Sequence, residues 1–268
     1  ISIYIIEHLA YIFNRCVMEG IFPDSLKTAL IVPIYKKGEP LDVNNYRPIS
    51  IFSVLSKIFE RILYNRMIKF LYRFNLLTGA QHGFRDQKST ETALYEFYND
   101  VYKNLDKGHQ VAGLFFDLSK AFDSLDIKII IKKLDNLGFR GNFLKVLESF
   151  LTNRKICAKI NSCFSQDFNV NIGVPQGSVL GPLIFILYVN DMPNYIKDGK
   201  VTMYADDTTI LITAHTLNEL TIKAENTAFQ FTNWCYRNKL IVNLNKTVCL
   251  HFHFKANDDK LKFECNIL

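Results

Sequence analysis

The stretch MYADDTTIL, residues 203–211, places two adjacent carboxylates, Asp206 and Asp207, between residues typical of β-strands. Successive side chains of a strand point to opposite faces, so a regular strand would separate these carboxylates. At a tight turn, both can reach one site. We therefore predict a strand pair at residues 200–213 that turns at the Asp pair, with Asp206 as the leading ligand and Asp207 as a supporting one.

A third carboxylate stands at the end of a second strand pattern. The run VAGLFF, residues 111–116, is almost continuously apolar and is followed directly by Asp117. Carboxylate oxygens at high charge density are ligands that Mg²⁺ prefers, and a pair of such ions can stabilise the attacking and leaving oxygens in phosphoryl transfer. Because Asp-rich turns are also common at solvated surfaces, the spacing alone leaves both a metal site and an ordinary turn open.

The rest of the chain alternates helical and strand patterns. Apolar spacing predicts helices at residues 3–19, 53–74, 90–105, 127–138, 142–154, 178–192 and 216–238. Further strands are predicted at 29–35 and 247–254, with a hairpin at 155–174. Strands mixed with helices that pack on them indicate an α+β fold with a largely antiparallel sheet.

Size and charge narrow the class of protein. The chain has 268 residues, of which 49% are hydrophobic, enough to bury a sizeable core in one large domain or two lobes. Its formal net charge is +6, and residues 1–90 carry 12 Lys and Arg against 7 Asp and Glu. This surplus is compatible with a polyanionic partner and equally with an ordinary solvated surface.

The cysteines and the apolar runs exclude other classes. No C-x-x-C pair or Cys/His spacing typical of zinc occurs, so we expect free thiols in a reducing compartment. The most apolar run, residues 179–189, contains Gly181 and Pro182 and is too short to cross a bilayer, so we expect no membrane partner. The chain begins at Ile1 without the basic region and cleavage site of a signal peptide, so we expect a fragment of a longer protein.

Six ordered segments carry a resemblance to a known family. From residue 116 onward, three segments resemble the A, B and C motifs of reverse transcriptases: FDLSKAFD (116–123), GVPQGSVLGPLIFILYVNDM (173–192) and YADD (204–207). Upstream segments resemble the fingers motifs of non-LTR retrotransposon enzymes, particularly Jockey-like elements: IVPIYKKGEP (31–40) with NYRPISIFSVLSKIFERIL (45–63), and QHGFRDQKSTETAL (81–94). The segment WCYRNKLIVNLNKTVCLHF (234–252) resembles the D motif of the same group.

This resemblance, over about residues 10–254, implies a right-hand polymerase architecture within the α+β class. It would comprise fingers and a palm with an antiparallel sheet, while the thumb would be largely missing. Residues 1–105 would form an N-terminal helix and the fingers, and 106–254 the palm with motifs A to D, part of 139–172 belonging to either. Residues 255–268 would be a truncated start of the thumb or a linker.

The resemblance also implies metal and catalytic roles. Asp117 and Asp206 would bind two Mg²⁺ ions, which Mn²⁺ could replace, with Asp207 beside them and the backbone carbonyl of Leu118 assisting. Lys246, in the segment LNKT, matches the D-motif lysine, a candidate proton donor to the pyrophosphate leaving group.

Several cations and one tyrosine match positions that contact phosphate or nucleic acid. Lys36, Lys37 and Arg47 resemble the fingers cations that hold the triphosphate, and the choice between the two lysines stays open. Arg85 fits a role in nucleic-acid binding or in stabilising the fingers, and Tyr204 a position beneath the primer end. Singly, each cation is also typical of a solvated surface, and Tyr204 is equally compatible with plain packing.

Three residues match positions around the sugar and base of the incoming nucleotide. Phe122 matches the bulky gate that excludes a 2′-hydroxyl, a distinction of one oxygen that an aromatic ring can make by volume. Gln176 would contact the nucleotide, with Gly177 allowing the backbone to approach. Without the motif, Phe122 is typical of an ordinary core aromatic.

The implied function is that of an RNA-directed DNA polymerase, which adds dNTPs to a primer 3′-hydroxyl and copies retrotransposon RNA. Its partners would be an RNA template and a DNA primer. Endonuclease and thumb regions are expected in the full-length protein, whose location would be intracellular and nuclear. Alternatives left open are a decayed remnant that only binds nucleic acid, a reverse transcriptase co-opted for intron maturation or telomere extension, and an RNA-dependent RNA polymerase. Target site, template specificity and oligomeric state stay open.

Overall fold

The computed structural model describes residues 2–160 and 162–253. The α-helices in this part of the chain are α1 (Ser2–Glu19), α2 (Val54–Arg73), α3 (Thr90–Asp106), α4 (Ile127–Asn136), α5 (Gly141–Leu151), α6 (Gly181–Tyr188), α7 (Met192–Tyr195) and α8 (Leu217–Arg237). The strands are β1 (Thr28–Tyr35), β2 (Tyr46–Ile51), β3 (Gln110–Phe116), β4 (Arg154–Ile160), β5 (Cys163–Phe164), β6 (Phe168–Val170), β7 (Lys200–Tyr204), β8 (Asp207–Ala214) and β9 (Val248–Phe252). No described helix is both long and apolar enough to cross a membrane.

The chain divides into two compact units, each built from two stretches of sequence. Unit 1 comprises the described parts of Ile1–Leu76 and Phe122–Phe185, and unit 2 those of Leu77–Ala121 and Ile186–Leu268. The boundaries predicted after residues 105 and 254 stay a prediction, and the thumb or linker assigned to 255–268 lies outside the described residues.

Unit 1 combines a mixed sheet with an aromatic core. Its strand order is β2-β1-β4-β5, with β6 also paired to β4. The β1–β2 pair is antiparallel, but β1 and β4 run parallel, which the expectation of a largely antiparallel sheet did not include. In the core, the Phe59 ring of α2 stacks on Phe13 of α1 with centroids 4.7 Å apart, and Phe22 lies 5.0 Å from Phe59.

Unit 2 contains a fully antiparallel four-stranded sheet in the order β7-β8-β3-β9. Helix α3 packs Phe97 near Phe115 of β3, with centroids 5.7 Å apart, whereas α8 stacks Phe231 on Phe116 at 4.0 Å. Because neighbouring side chains of a strand point to opposite faces, α3 and α8 cover the two faces of β3. This explains why β3 reads as a nearly continuous apolar run.

One predicted helix is shorter than its apolar pattern suggested. The pattern of residues 178–192 predicted a single helix, but the structure has α6 and then the four-residue α7. Pro182 lies in the first turn of α6, where its missing N–H removes no helical hydrogen bond. Ser178 therefore belongs to the preceding loop, and its Oγ accepts a hydrogen bond from the Gly181 N–H at 2.8 Å.

Candidate active site

The Asp pair lies at a two-residue hairpin turn in unit 2. Strands β7 and β8 pair up to Tyr204 opposite Asp207, so Ala205 and Asp206 form the turn and Asp207 begins β8. Ala205 has a left-handed backbone, φ 55°, which the turns that suit β-hairpins require at their first central position. The turn thus presents Asp206 and Asp207 at one end of the sheet, as the sequence predicted.

Asp117 directly follows β3, the strand next to this hairpin. Strand β3 pairs with β8 up to Phe116 opposite Thr208, which places Asp117 one step further, beside Asp207. Burial raises the pKa of Asp207, and the charges of Asp206 and Asp117 raise it further, while the charge of Lys246 lowers it. The structure therefore brings all three predicted carboxylates into one electrostatic environment.

Asp117 is held by the segment that precedes β9. The Asn243 side-chain Nδ2 donates a hydrogen bond to Asp117 Oδ2 at 3.1 Å, and the Asn243 N–H donates to the Asp117 carbonyl oxygen at 2.8 Å. Lys246 Nζ lies 3.3 Å from the same Oδ2. The predicted lysine is thus beside a predicted carboxylate. Sequence reasoning missed Asn243, although it lies in the quoted segment that resembles the D motif.

A buried glutamine from the segment QHGFR holds the Ala205 turn. Gln81 is 1% exposed, and its Oε1 accepts hydrogen bonds from the N–H groups of Gly83 at 2.7 Å and Ala205 at 3.0 Å. Its Nε2 donates to the Ala205 carbonyl oxygen at 3.3 Å. The backbones of His82 and Met203 are joined at 2.8 Å as well, so residues 80–83 support the end of β7. The motif resemblance pointed to this segment, but it predicted no role for Gln81.

The other predicted residues of unit 2 have defined surroundings. Arg85 Nη1 donates to the carbonyl oxygens of Thr78 at 2.5 Å and Gln81 at 3.3 Å, which secures the loop that holds the turn. Tyr204 is half-exposed at the end of β7. Leu118 is buried, and its carbonyl takes no part in the two backbone hydrogen bonds that join Asp117 and Ser119 to the segment before β9. Roles in nucleic-acid or metal binding stay predictions for these residues.

In unit 1, Gln176 and Gly177 lie in the loop that precedes α6. Gln176 Nε2 donates to both carboxylate oxygens of Asp123, at 3.0 and 2.9 Å, and the Gln176 carbonyl accepts from the Ser50 N–H at 2.7 Å. Gly177 has φ 109°, and a Cβ there would clash with the Ser50 carbonyl oxygen. The observed need for glycine therefore comes from the neighbouring strand β2.

Two buried charges secure the two ends of this loop, and sequence reasoning missed both. Glu60 of α2 is fully buried, and its Oε2 accepts from the N–H groups of Val179 at 2.7 Å and Leu180 at 3.1 Å. At the other end, Arg154 Nη2 donates to the Gly173 carbonyl oxygen at 2.7 Å. Burial raises the pKa of Glu60 despite these hydrogen bonds. Burial lowers the pKa of Arg154 to about 10.

The remaining predicted residues of unit 1 form two groups. The Phe122 ring stacks on Phe185, with centroids 4.4 Å apart and planes 21° apart, so its orientation is constrained. Lys36 and Lys37 follow β1, and Arg47 lies on the partner strand β2; all three side chains are exposed. Their exposure leaves them available to an anionic ligand.

The residues of unit 2 fit a divalent cation of the Mg²⁺ type. Among the described residues, no group of three or more His, Cys, Asp or Glu is arranged to hold a metal by itself. Mg²⁺ usually keeps several waters and is bound by one or two carboxylates together with substrate phosphates, so a pair such as Asp117 and Asp206 would be enough, and their role as ligands stays a prediction. Their oxygens are hard ligands, and a cation would offset the repulsion that, after burial, raises the pKa of Asp207.

A sheet that carries strand-end carboxylates beside a lysine defines a candidate site for phosphoryl transfer. Comparison with known families is consistent with this class. Residues 34–264 match the family described as reverse transcriptase (RNA-dependent DNA polymerase), and the chain belongs to this family. The membership of the reverse transcriptase family that the motifs predicted is therefore confirmed.

Curated relatives include proteins of mobile elements. The chain is 31% identical over 259 residues to a Drosophila melanogaster protein named probable RNA-directed DNA polymerase from transposon BS, covering 94% of this chain and 28% of the relative. It is also 31% identical over 253 residues to the RNA-directed DNA polymerase from mobile element jockey of Drosophila funebris, covering 91% and 28%. The chain thus spans just over a quarter of the length of these relatives.

Solved structures support the fold. The apo telomerase from Candida tropicalis, truncated from its C-terminal domain, matches with a TM-score of 0.63 and 14% identity, covering 90% of this chain and 53% of that chain. At this identity, the likeness shows a shared fold alone.

Proposed function

We propose that this chain is an RNA-directed DNA polymerase domain of a non-LTR retrotransposon. It would add dNTPs to the 3′-hydroxyl of a DNA primer on an RNA template, releasing pyrophosphate. The observation that carries the proposal is the grouping of Asp117 with Asp206 and Asp207 in a chain of the reverse transcriptase family. Relatives named as polymerases of mobile elements support the same activity.

In unit 2, the carboxylates would provide the ligands of two Mg²⁺ ions, Asp117 and Asp206 first and Asp207 and the Leu118 carbonyl beside them. When bound, the ions supply Lewis-acid stabilisation of the attacking and leaving oxygens. Lys246 would hold and release a proton at its Nζ toward the leaving pyrophosphate. Its position 3.3 Å from Asp117 Oδ2 supports a role beside the carboxylates.

In unit 1, separate residues would recognise the incoming nucleotide. The exposed cations Lys36, Lys37 and Arg47 would bind its triphosphate, because charge-assisted hydrogen bonds to phosphate are strong. Phe122 would exclude a 2′-hydroxyl by volume, and its stacking on Phe185 supports this role because a constrained ring cannot turn aside.

Gln176 and Gly177 would present amide and backbone groups to the nucleotide from their secured loop. Arg85 and Tyr204 would contribute to template and primer binding, Arg85 chiefly by holding its loop. Because backbone contacts to nucleic acid are electrostatic, binding of the template–primer should weaken as salt rises.

Primer extension on an RNA template, with Mg²⁺ and either dNTPs or rNTPs, tests the proposal. Asp206→Asn keeps the side-chain volume but removes a metal ligand, so extension should fall by about 100-fold or more. Asp167→Asn, at an exposed position between β5 and β6, is the matched control and should extend normally. Phe122→Val should gain incorporation of rNTPs.

Two outcomes would overturn the proposal. If Asp206→Asn extends the primer at the rate of the unmodified chain, Asp206 is not needed for catalysis and the proposed site is wrong. A folded chain that binds template–primer but extends nothing, also with Mn²⁺ and within a longer protein that includes the downstream region, would favour a remnant that only binds nucleic acid.

A further inference from the structure

All the exposed charged side chains of helix α2 are positive. Its 20 residues contain five Lys and Arg, all with exposed side chains: Lys57, Arg61, Arg66, Lys69 and Arg73. Its one acidic residue, Glu60, is fully buried and bonded to the loop before α6. The solvent-facing side of α2 therefore carries positive charge without any negative charge of its own.

Four of these cations lie in one row along the helix, which is interrupted once. The row has five positions, each four residues from the next. Its middle position is the exposed Asn65, and the other four are Lys57, Arg61, Lys69 and Arg73. Residues four apart are neighbours on a helix surface, and each step rises about 6 Å along the axis. These four side chains, here named the α2 ridge, thus extend over about 24 Å.

The ridge cations make no ion pair with any described residue, whereas α1 and α8 each have one cation paired with a glutamate. Arg15 of α1 pairs with Glu19 and Lys223 of α8 pairs with Glu219, each at a spacing of four residues. On α2 the observed partners are aromatic: Arg61 lies 5.3 Å from the centroid of the Tyr64 ring. Arg73 lies 5.5 Å from that of Phe74. Aromatic contacts order a guanidinium but leave its charge available.

We propose that the α2 ridge is a binding surface for the phosphodiester backbone of a nucleic acid. The inference rests on the proposed function, which supplies a template and a primer as ligands. A line of unpaired cations matches a line of phosphates, whereas the acid-free surface would repel a basic partner. A membrane fits less well, because the apolar face that an interfacial helix inserts is packed in the core through Phe59, Leu63 and Met67.

The salt dependence of binding measures the number of phosphates that the ridge neutralises. Each neutralised phosphate of a single strand contributes about −0.7 to the slope of log K against log salt. Replacing four contacting cations should therefore make the slope shallower by about 2.8. When salt is raised from 50 to 200 mM, both chains lose affinity. The factor lost by the variant should be about 50-fold smaller than the factor lost by the unmodified chain.

The test compares two variants with the same change of charge. The ridge variant combines Lys57→Gln, Arg61→Gln, Lys69→Gln and Arg73→Gln. The control combines Lys103→Gln, Lys107→Gln, Lys128→Gln and Lys132→Gln, all at exposed positions outside α2. Fluorescence anisotropy, without dNTPs, gives the affinity for single-stranded RNA, duplex DNA and an RNA–DNA template–primer, and thermal melting confirms that both variants are folded.

The expected result is a shallower slope for the ridge variant than for the control, and the nucleic acid with the largest difference identifies the strand that binds. Equal slopes for the two variants would overturn the inference. So would equally tight, ridge-dependent binding to anionic phosphatidylserine vesicles. Because binding is measured without catalysis, a ridge effect in a chain that extends no primer would refute only the proposed function. Normal extension with equal slopes would refute only the ridge.

Discussion

Replacement of Gln81 by Met should destabilise unit 2 and misplace the carboxylates. Gln81 is 1% exposed and is the acceptor for the N–H groups of Gly83 and Ala205. Methionine has a similar length and fills the same space, so no large cavity opens, but it provides no comparable acceptor. Each buried N–H left without a partner costs about 1–3 kcal/mol, so Gln81→Met, which leaves two of them, should lose about 2–6 kcal/mol.

Thermal melting and primer extension measure the two parts of this prediction. A loss of about 3 kcal/mol should lower the melting temperature by roughly 6–12 °C in a protein of this size. Once Gln81 no longer holds Ala205, the left-handed residue can relax toward commoner backbone angles and move Asp206. A displacement of about 1 Å can cost about 100-fold in rate, so extension by the folded variant should fall by up to that factor.

Gln230→Met is the matched control for Gln81→Met. Gln230 also accepts a backbone hydrogen bond, from the Lys197 N–H at 2.8 Å, but it is half-exposed, so water can replace the lost partner. Its melting temperature should change by less than about 3 °C. If Gln81→Met has the melting temperature and the extension rate of the unmodified chain, the turn does not depend on these hydrogen bonds and the reasoning is wrong.

Three further predictions concern burial and backbone strain. Because burial raises the pKa of Glu60 above its ordinary value of 4.5, its stabilising contribution is complete below that pH and is lost as the pH rises through the raised pKa. In urea unfolding, Glu60→Gln should therefore gain stability relative to the unmodified chain above pH 4.5, and a pH-independent difference would contradict this. Gly177→Ala should lose about 2–4 kcal/mol through its clash, whereas Gly108→Ala, with φ 76° in open space, should lose only about 1 kcal/mol; equal losses would exclude the clash. Burial raises the pKa of Cys235 to about 12, so a thiol reagent should modify exposed Cys163 quickly and leave Cys235 intact until the chain unfolds.

Elements with a long local pattern could be predicted from sequence. The helix predicted at 53–74 is observed at Val54–Arg73, and that predicted at 216–238 at Leu217–Arg237. Their apolar residues repeat at helical spacing over five turns, so neighbouring positions reinforce one another. The parallel pairing of β1 with β4 has no such local signal, because the two strands are more than a hundred residues apart in sequence.

Some residues of the candidate site could also be predicted from sequence, and others could not. Residue types and strand patterns pointed to the carboxylates, whereas the nucleotide-binding residues came only from the motif resemblance. Neither route identified Gln81, Glu60 or Arg154 as supports. Gln81 meets Ala205 across 124 residues of sequence, and Glu60 meets Leu180 across 120. A buried polar residue on a helix or loop does not reveal in its own neighbourhood which distant backbone group it will satisfy.

The two units share one way of holding a functional segment. In unit 2, the buried side chain of Gln81 bonds to the backbone of the turn that carries Asp206, and in unit 1, Glu60 bonds to the backbone of the loop that carries Gln176. Buried backbone amides must find a partner, so each support is required by the fold itself and not only by the chemistry. A hydrogen bond also fixes direction as well as distance, which apolar packing does less strictly. Substitutions at these supports should therefore lower the rate of extension even when every residue proposed to touch substrate is intact.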